Sequence, residues 1–444
     1  MKNYLDLASA FIADLKYDRL SPEVLKQAKW VLLDTLGVIL SGIHSREIEN
    51  LIECNKHLRN TKGATILDRK EKYEPKFAAL IHGTAATWHE LDEGSYFSKG
   101  HAAIHIVPAA LAVGEQLKVD GKRLLESMIA AYEISSRIGG SIKLRKGMHP
   151  HGTWGTIGAA IAPAKLMGLN PDEMRQVINL ASSLTLATSK HTVLEGANVE
   201  KMYAGVSGFM GILANELFRC GFKGDPEGIN EIFGKISSDH FDPETFVNGL
   251  GEPYEIMRNY FKGNDACCRY ISPTLDALQI ILKKGKLLPQ DIERIEIHSF
   301  ELASILGRKD AEEMLAAKFS VPYSLAIFIL KGSCSKEHYD EAILKDDEVR
   351  RLAQKIEIKE EKSFTERFPG ERPSRVTVYL KNGQRITETV FYSKGDAEEP
   401  YSEEELLHKF LRLSSPILGE KRAMDLALNI GRIEELHNIK RLLS

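Results

Sequence analysis

Between His82 and Pro108 the chain reads HGTAATWHELDEGSYFSKGHAAIHIVP, and four of its 14 histidines fall there. Asp92 and Glu93 stand among them, and Gly94 and Gly100 bracket a polar–aromatic loop. Imidazoles beside carboxylates are the groups that move protons near neutral pH. A second pair, in His149-Pro150-His151, opens a segment rich in Gly, Thr and Ala. A base placed there can approach a ligand beside free helix-terminal amides, which favour carboxylates. Further along, Lys262 lies in NYFKGNDACCRY, and a lysine can hold a carboxylate; Arg269 is a candidate anion clamp or a structural ion pair. Tyr323, in KFSVPYSLA, is either a phenolic acid or a core residue whose hydroxyl finds one partner.

His101 and His105 are four apart and share a face if that segment is helical. With Asp92 and Glu93 they could bind a divalent cation, so a metal-dependent hydrolase is a competing reading. No HExxH or fixed ligand triad supports it. Cys267-Cys268 offers no separate Cys–His pairing for a nucleophile. The chain has no Gly-x-Ser-x-Gly, Walker or dinucleotide motif, and Gly205-Gly208-Gly211 lacks the preceding strand that a dinucleotide fingerprint needs.

The elements that must position these groups are mostly helices. Helical spacing runs through 4–17, 22–41, 47–58 and 73–91, with Ser21-Pro22 as a start signal and Leu25, Ala28, Leu32 and Leu36 on one face. Pro108 is expected to begin the next helix, followed by 121–138 and a small-residue helix within 147–169. Asn170-Pro171-Asp172-Glu173 should cap another, and 201–220 follows. Its glycines at 205, 208 and 211 cost helix propensity, which suggests close approach to another helix or to a ligand. The pattern changes near 270: a helix over 273–284, a strand over 293–300 with Ile295 and Ile297 alternating, a helix over 319–331, and two strands around Lys381-Asn382-Gly383-Gln384, an Asn-Gly hairpin signal. Helix resumes from Ser402. The expected fold is mainly α: a large all-helical domain over 1–264, an inserted smaller α+β domain over 265–400, and helices over 401–444 returning to the first.

The 444 residues carry 59 basic and 62 acidic side chains, a formal net charge of −3, so there is no global field to gather nucleic acid or an anionic membrane. The longest apolar segment, 30–42, contains Asp34 and is too short to span a bilayer. Five cysteines without a CxxC pair point to a reducing compartment, and a start without a basic region and long apolar run does not read as a signal peptide. A cytoplasmic protein is expected.

Taken together the stretches resemble the MmgE/PrpD family over nearly the whole chain. AKWVLLDTLGVILSG, HELDEG…GHAAIHIVPAALA, HPHGTWGTIGAAIAPAKLMGL, YAGVSGFMGILANELFRCGFKG, FKGNDACCRY, KFSVPYSLA and SKGDAEEPYSEEELLHKF occur in the family's order. The resemblance implies a helical domain with a smaller α+β lid, usually a homodimer, acting on a small di- or tricarboxylate without metal or organic cofactor. Its members include 2-methylcitrate dehydratase, cis-aconitate decarboxylase and iminodisuccinate epimerase. It implies Asp92, His101, His149, Lys262 and Tyr323 as catalytic positions; His89, Glu93, His105 (an extra histidine relative to the family), His151, Lys201 and Arg269 are the residues expected to bind the substrate beside them. His101 or His149 would take the proton, Asp92 would orient its partner imidazole, Lys262 would hold the carboxylate and Tyr323 would act as acid. Three departures stand out: Glu200 where a lysine is usual, Ser272 where many members have histidine, and Ala102 in place of proline. Losing a cation points to a smaller or less charged acid, and also leaves room for an organic-acid-binding protein that kept the fold without turnover.

Overall fold

A computed structural model describes residues 3–285 and 288–443. It is 59% helical, with 11% strand in small sheets. The start signals work as their chemistry dictates. Ser21 accepts the Val24 N–H at the head of Pro22–Gly42, and Asn170 and Glu173 close a reciprocal capping box on Pro171–Ser182.

Five helices build the body around the histidine-rich stretch: Pro75–Thr87, Ala103–Leu117, Gly121–Gly140, Gly155–Leu166 and Met202–Arg219. Small residues allow the close crossings. A Cβ on Gly83 would stand 2.7 Å from Gly205 Cα, one on Gly205 would overlap Leu80 O and Thr84 Oγ1, and one on Gly211 would overlap the backbone of Ala159. The glycines therefore serve helix contact rather than a ligand. From the far end of the chain, Glu403–Leu418 packs along Pro22–Gly42, and buried Lys409 pairs with Asp34 at 2.5 Å.

Strand is concentrated in one four-stranded sheet, in the order Arg385–Val390, Ser374–Leu380, Ile292–Ser299, Ile356–Glu360. The first three run antiparallel, and the last is parallel to its neighbour. Ile295 and Ile297 face the core at 0% exposure, as their alternation requires. Gly383 turns the hairpin at φ 84°, a value glycine adopts without steric cost. The Ile356–Glu360 strand was not foreseen: IEIKE is short, charged and pairs at an edge.

Two differences matter for the site. Pro108 does not begin a helix; it lies inside Ala103–Leu117. That helix starts five residues earlier because buried Glu93 accepts the Ala103 N–H at 3.0 Å, a cap supplied from outside the local sequence. His101 therefore precedes the helix and does not share a helical face with His105. The second difference is a two-residue antiparallel ladder, Gly94 with Tyr260 and Ser95 with Asn259. It brings the stretch containing Lys262 against the acidic–histidine loop.

Candidate active site

His101 defines the geometry. Its Nδ1 lies 2.7 Å from the Glu93 carbonyl oxygen and 2.6 Å from Asp92 Oδ2. Both neighbours are acceptors, so Nδ1 carries the proton and the lone pair of the neutral ring is on Nε2. Nε2 faces the Tyr260 hydroxyl at 3.4 Å. Burial pushes the Asp92 carboxyl up, but His101, Lys262 and His151 outweigh it and hold the group well below the usual carboxylate range. A buried aspartate kept ionised beside an imidazole stabilises the imidazolium that forms when Nε2 takes a proton.

His149 is arranged the opposite way. Its Nδ1 accepts the His151 N–H at 3.3 Å, which places the proton of the neutral ring on Nε2. Burial, with His151 and His101 adding repulsion, holds its pKa well below that of a free imidazole. His149 is thus a neutral N–H donor, with Glu200 Oε1 3.9 Å from Nε2. His151 sits between, its ring centroid 4.9 Å from that of His101 and 4.6 Å from that of His149. Its Nδ1 is 3.1 Å from Glu200 Oε1, and its Nε2 is buried without a partner among the described residues.

Other expected substrate contacts are occupied by the protein itself. His105 is 1% exposed; its Nδ1 donates to His101 O at 2.7 Å and its Nε2 accepts the Gly152 N–H at 3.3 Å. Burial, with His151 beside it, pushes its pKa down to about 3, so it is a neutral strut. Glu93 accepts from Ala103 N, from the Tyr132 hydroxyl at 2.8 Å and from Asn259 Nδ2 at 3.3 Å; burial raises it to about 7 against those bonds. His89 donates from Nε2 to Ser41 O at 3.2 Å. Arg269 clasps Asp396 at 2.5 Å and the Tyr96 hydroxyl at 3.1 Å, with its guanidinium 4.8 Å from the Tyr260 ring, so it is an ion pair rather than a substrate clamp.

The lysines are also engaged. Lys201 donates to Thr87 O at 3.0 Å and to Glu90, with Glu200 at 3.7 Å. Lys262 donates to Glu90 O at 2.8 Å and Cys267 O at 3.3 Å, with Glu90 Oε2 at 4.0 Å. Lys262 therefore does not present a free ammonium to a carboxylate. Glu90, which holds both, has φ 59°, and such a conformation in a non-glycine residue persists only where its surroundings enforce it. Tyr323 is 1% exposed on the first turn of Val321–Lys331; its hydroxyl makes no hydrogen bond to the histidines.

The metal-hydrolase set of Asp92, Glu93, His101 and His105 does not assemble, since Glu93 and His105 are spent as described. Two other groups do bring ligand-type atoms within 4.8 Å of one another: Asp92, His101 and His151, and His149, His151 and Glu200. In the first, His101 Nδ1 carries a proton directed at acceptors. In the second, His149 Nδ1 is an acceptor, which leaves a proton where Nε2 would need a lone pair. The second donor set therefore does not suit a metal as it stands, while in the first His101 keeps a lone pair on Nε2.

Comparison with known proteins gives the same answer across both halves. The description of the MmgE/PrpD N-terminal domain matches residues 6–239, and that of the C-terminal domain matches 266–430. The chain belongs to the MmgE/PrpD family. It is similar to cis-aconitate decarboxylase of Aspergillus terreus, at 24% identity over 97% of this chain and 94% of that protein. It is 22% identical to the mouse cis-aconitate decarboxylase, over 99% of this chain and 92% of that protein, and 23% identical to 2-methylcitrate dehydratase of Salmonella typhimurium, over 95% and 93%. These relatives, a decarboxylase and a dehydratase, are lyases, which supports an enzyme of the family's general kind here as well. No helix among the described residues is long and apolar enough to cross a membrane.

Sequence reasoning missed Glu90 and Tyr260 of this site, and also buried Lys318, which donates to His89 O at 3.2 Å. Glu90 and Lys318 stand inside the motifs HELDEG and KFSVPYSLA, but charge in a motif does not reveal which atoms it will face. Tyr260 has no such signal, because only the ladder with Gly94 brings it to His101.

Proposed function

We propose that the chain is a lyase or isomerase that removes a proton from carbon next to a carboxylate in a small di- or tricarboxylic acid, by the acid–base chemistry of its own side chains. The observation that carries this reading is the placement of His101 Nδ1 2.6 Å from Asp92 Oδ2 and 2.7 Å from the Glu93 carbonyl oxygen, two acceptors that assign the proton to Nδ1 and leave a lone pair on Nε2. His101 Nε2 takes the carbon-bound proton, and ionised Asp92 stabilises the imidazolium. His149 donates its Nε2–H to the carboxylate oxygen as the enediolate charge develops; a neutral donor aimed at developing charge is an efficient stabiliser. The imidazolium then returns the proton to a leaving hydroxyl, completing elimination of water, or an acid on the other face delivers one to carbon, giving the epimer. Tyr323 serves as that acid, and a homodimer and a cytoplasmic location belong to the same proposal.

The similarity to cis-aconitate decarboxylases supports a second outcome on the same groups. There loss of CO₂ leaves the carbanion, and protonated His101 gives it a proton. Incubation of the protein with 2-methylcitrate, cis-aconitate and smaller dicarboxylates in D₂O, followed by NMR, separates the outcomes. Elimination gives an alkene, epimerisation incorporates deuterium at one carbon, and decarboxylation shortens the chain. An unchanged spectrum for every acid, or chemistry that persists in His101→Gln, would overturn the proposal.

A further inference from the structure

We infer that Lys318, and not Lys262, is the cation that takes a carboxylate of the substrate; the inference rests on the proposal above that the site binds a small organic acid. Four lysines are buried among the described residues: Lys201, Lys262, Lys318 and Lys409, at 5%, 2%, 4% and 5% exposure. An ammonium has three N–H donors and no acceptor, so its partners can be counted. Lys201 has Thr87 O, Glu90 and Glu200. Lys262 has two carbonyls and the Glu90 carboxylate. Lys409 has Asp34 at 2.5 Å and Leu91 O at 2.7 Å. Lys318 has one carbonyl, His89 O at 3.2 Å, and no carboxylate within 4.0 Å among the described residues. The face of Tyr339 lies 5.3 Å from its ammonium.

A buried cation with two unspent donors and no counter-ion is costly, and the cost disappears when an anion arrives. The position suits the task. Lys318 closes the Met314–Lys318 helix, its carbonyl accepts the Cys268 N–H at 3.0 Å, and Cys267 O on the same strand of backbone binds Lys262. The titratable groups around it are Lys201, Glu90, Lys262 and the neutral thiol of Cys267, so it borders the lysine–glutamate cluster that adjoins Asp92. Burial, ahead of repulsion from Lys201, lowers its pKa to about 7, so near neutral pH the group is divided between amine and ammonium, and an arriving anion would hold it protonated. Tyr323 lies five residues on, in the same motif.

The test compares wild type with Lys318→Met and Lys318→Gln, using citrate, cis-aconitate and succinate as probes in calorimetry and thermal melts. Methionine keeps the stem and removes the charge. The inference expects the ligand-free Lys318→Met protein to melt no lower than wild type, because an unpaired buried charge has gone. The best-bound acid should bind about 10–100-fold more weakly, as one charge-assisted contact implies. Binding to wild type at pH 8 should take up a proton, read from two buffers of different ionisation enthalpy, and Lys318→Gln should abolish that uptake. Affinity within threefold of wild type in both variants would overturn the inference while leaving the proposed function standing. Failure of Lys318→Met to fold, or a lower melting temperature, would make the lysine structural and overturn it equally. If wild type binds none of the acids, the proposed function itself fails and the inference falls with it.

Discussion

At the scale of single residues, His101 and His149, the two histidines proposed to be catalytic, differ in which nitrogen holds the proton, and that difference is open to measurement. Glutamine keeps an N–H donor near the place of Nε2 but offers no basic nitrogen. If His149 is a donor, His149→Gln retains at least a tenth of wild-type kcat/KM and His149→Ala loses about 10², the range of one oxyanion contact. If His101 is the base, glutamine and alanine at 101 fail alike, with kcat/KM down about 10³, the mid-range of general base catalysis. Equal behaviour at both positions would sink the division of roles. The sequence made these residues legible by type and clustering, yet the roles could not be read there. What fixes each tautomer includes a backbone group, Glu93 O beside Asp92 for His101 and the His151 N–H for His149, and a backbone donor or acceptor has no residue signature. The same blindness explains Lys262. As a lysine beside aromatics it looks like an anion holder, and only the folded chain shows that two carbonyls and Glu90 already hold it.

At the scale of elements, helix periods and caps were legible because they are local. Ser21, Asn170 and Ser402 each bond a backbone amide within three residues. The misplaced start at Pro108 came from a long-range cap, Glu93 on Ala103, which no local window contains. The glycine helix lies between these cases: its unusual composition announced close packing but not the partner. The partners are Pro75–Thr87, with Gly83 and Gly205 face to face, and Gly155–Leu166, where Gly211 meets Ala159. Alanine improves helix propensity by about 1 kcal/mol at such a site, so a surface-like position would gain stability. Here the added methyl meets the Leu80 carbonyl as well as Thr84 Oγ1, and the backbone cannot turn away. Gly205→Ala is therefore expected to destabilise by about 1–3 kcal/mol, the usual cost of overpacking. Denaturant unfolding of the purified variant measures it, and a stability equal to or above wild type would show that the crossing is looser than the atoms suggest.

At the scale of the whole molecule, the question is what ties the acidic–histidine loop to the sheet-bearing part of the chain. Asp396, 1% exposed, takes Arg269 on one oxygen at 2.5 Å and Arg372 on the other at 2.6 Å, and also accepts the Ser393 N–H at 2.8 Å. The two guanidiniums in turn hold Tyr96 of the loop: Arg269 bonds its hydroxyl at 3.1 Å and Arg372 stacks 3.9 Å from its ring. Tyr96 then packs 4.7 Å from Tyr260, whose hydroxyl faces His101. Asp396→Asn leaves two buried cations with a neutral partner, and breaking a buried pair this way costs about 3–5 kcal/mol. The variant should melt lower, and amides 94–100 should exchange faster with deuterium. The effect has a pH signature with a definite sign. Burial pushes the Asp396 carboxyl up, but Arg269 and Arg372 outweigh it, so the folded pKa lies below the ordinary value. A depressed carboxylate contributes stability in full above its unfolded pKa of about 3.9 and loses it as pH falls through the lower folded value. Wild type should therefore lose this contribution only below about pH 4, while Asp396→Asn lacks it at every pH and shows a shallower acid limb. Parallel acid limbs in the two proteins, or an unchanged melting temperature, would mean that the clasp does not hold the loop and that Tyr260 reaches His101 by local packing alone.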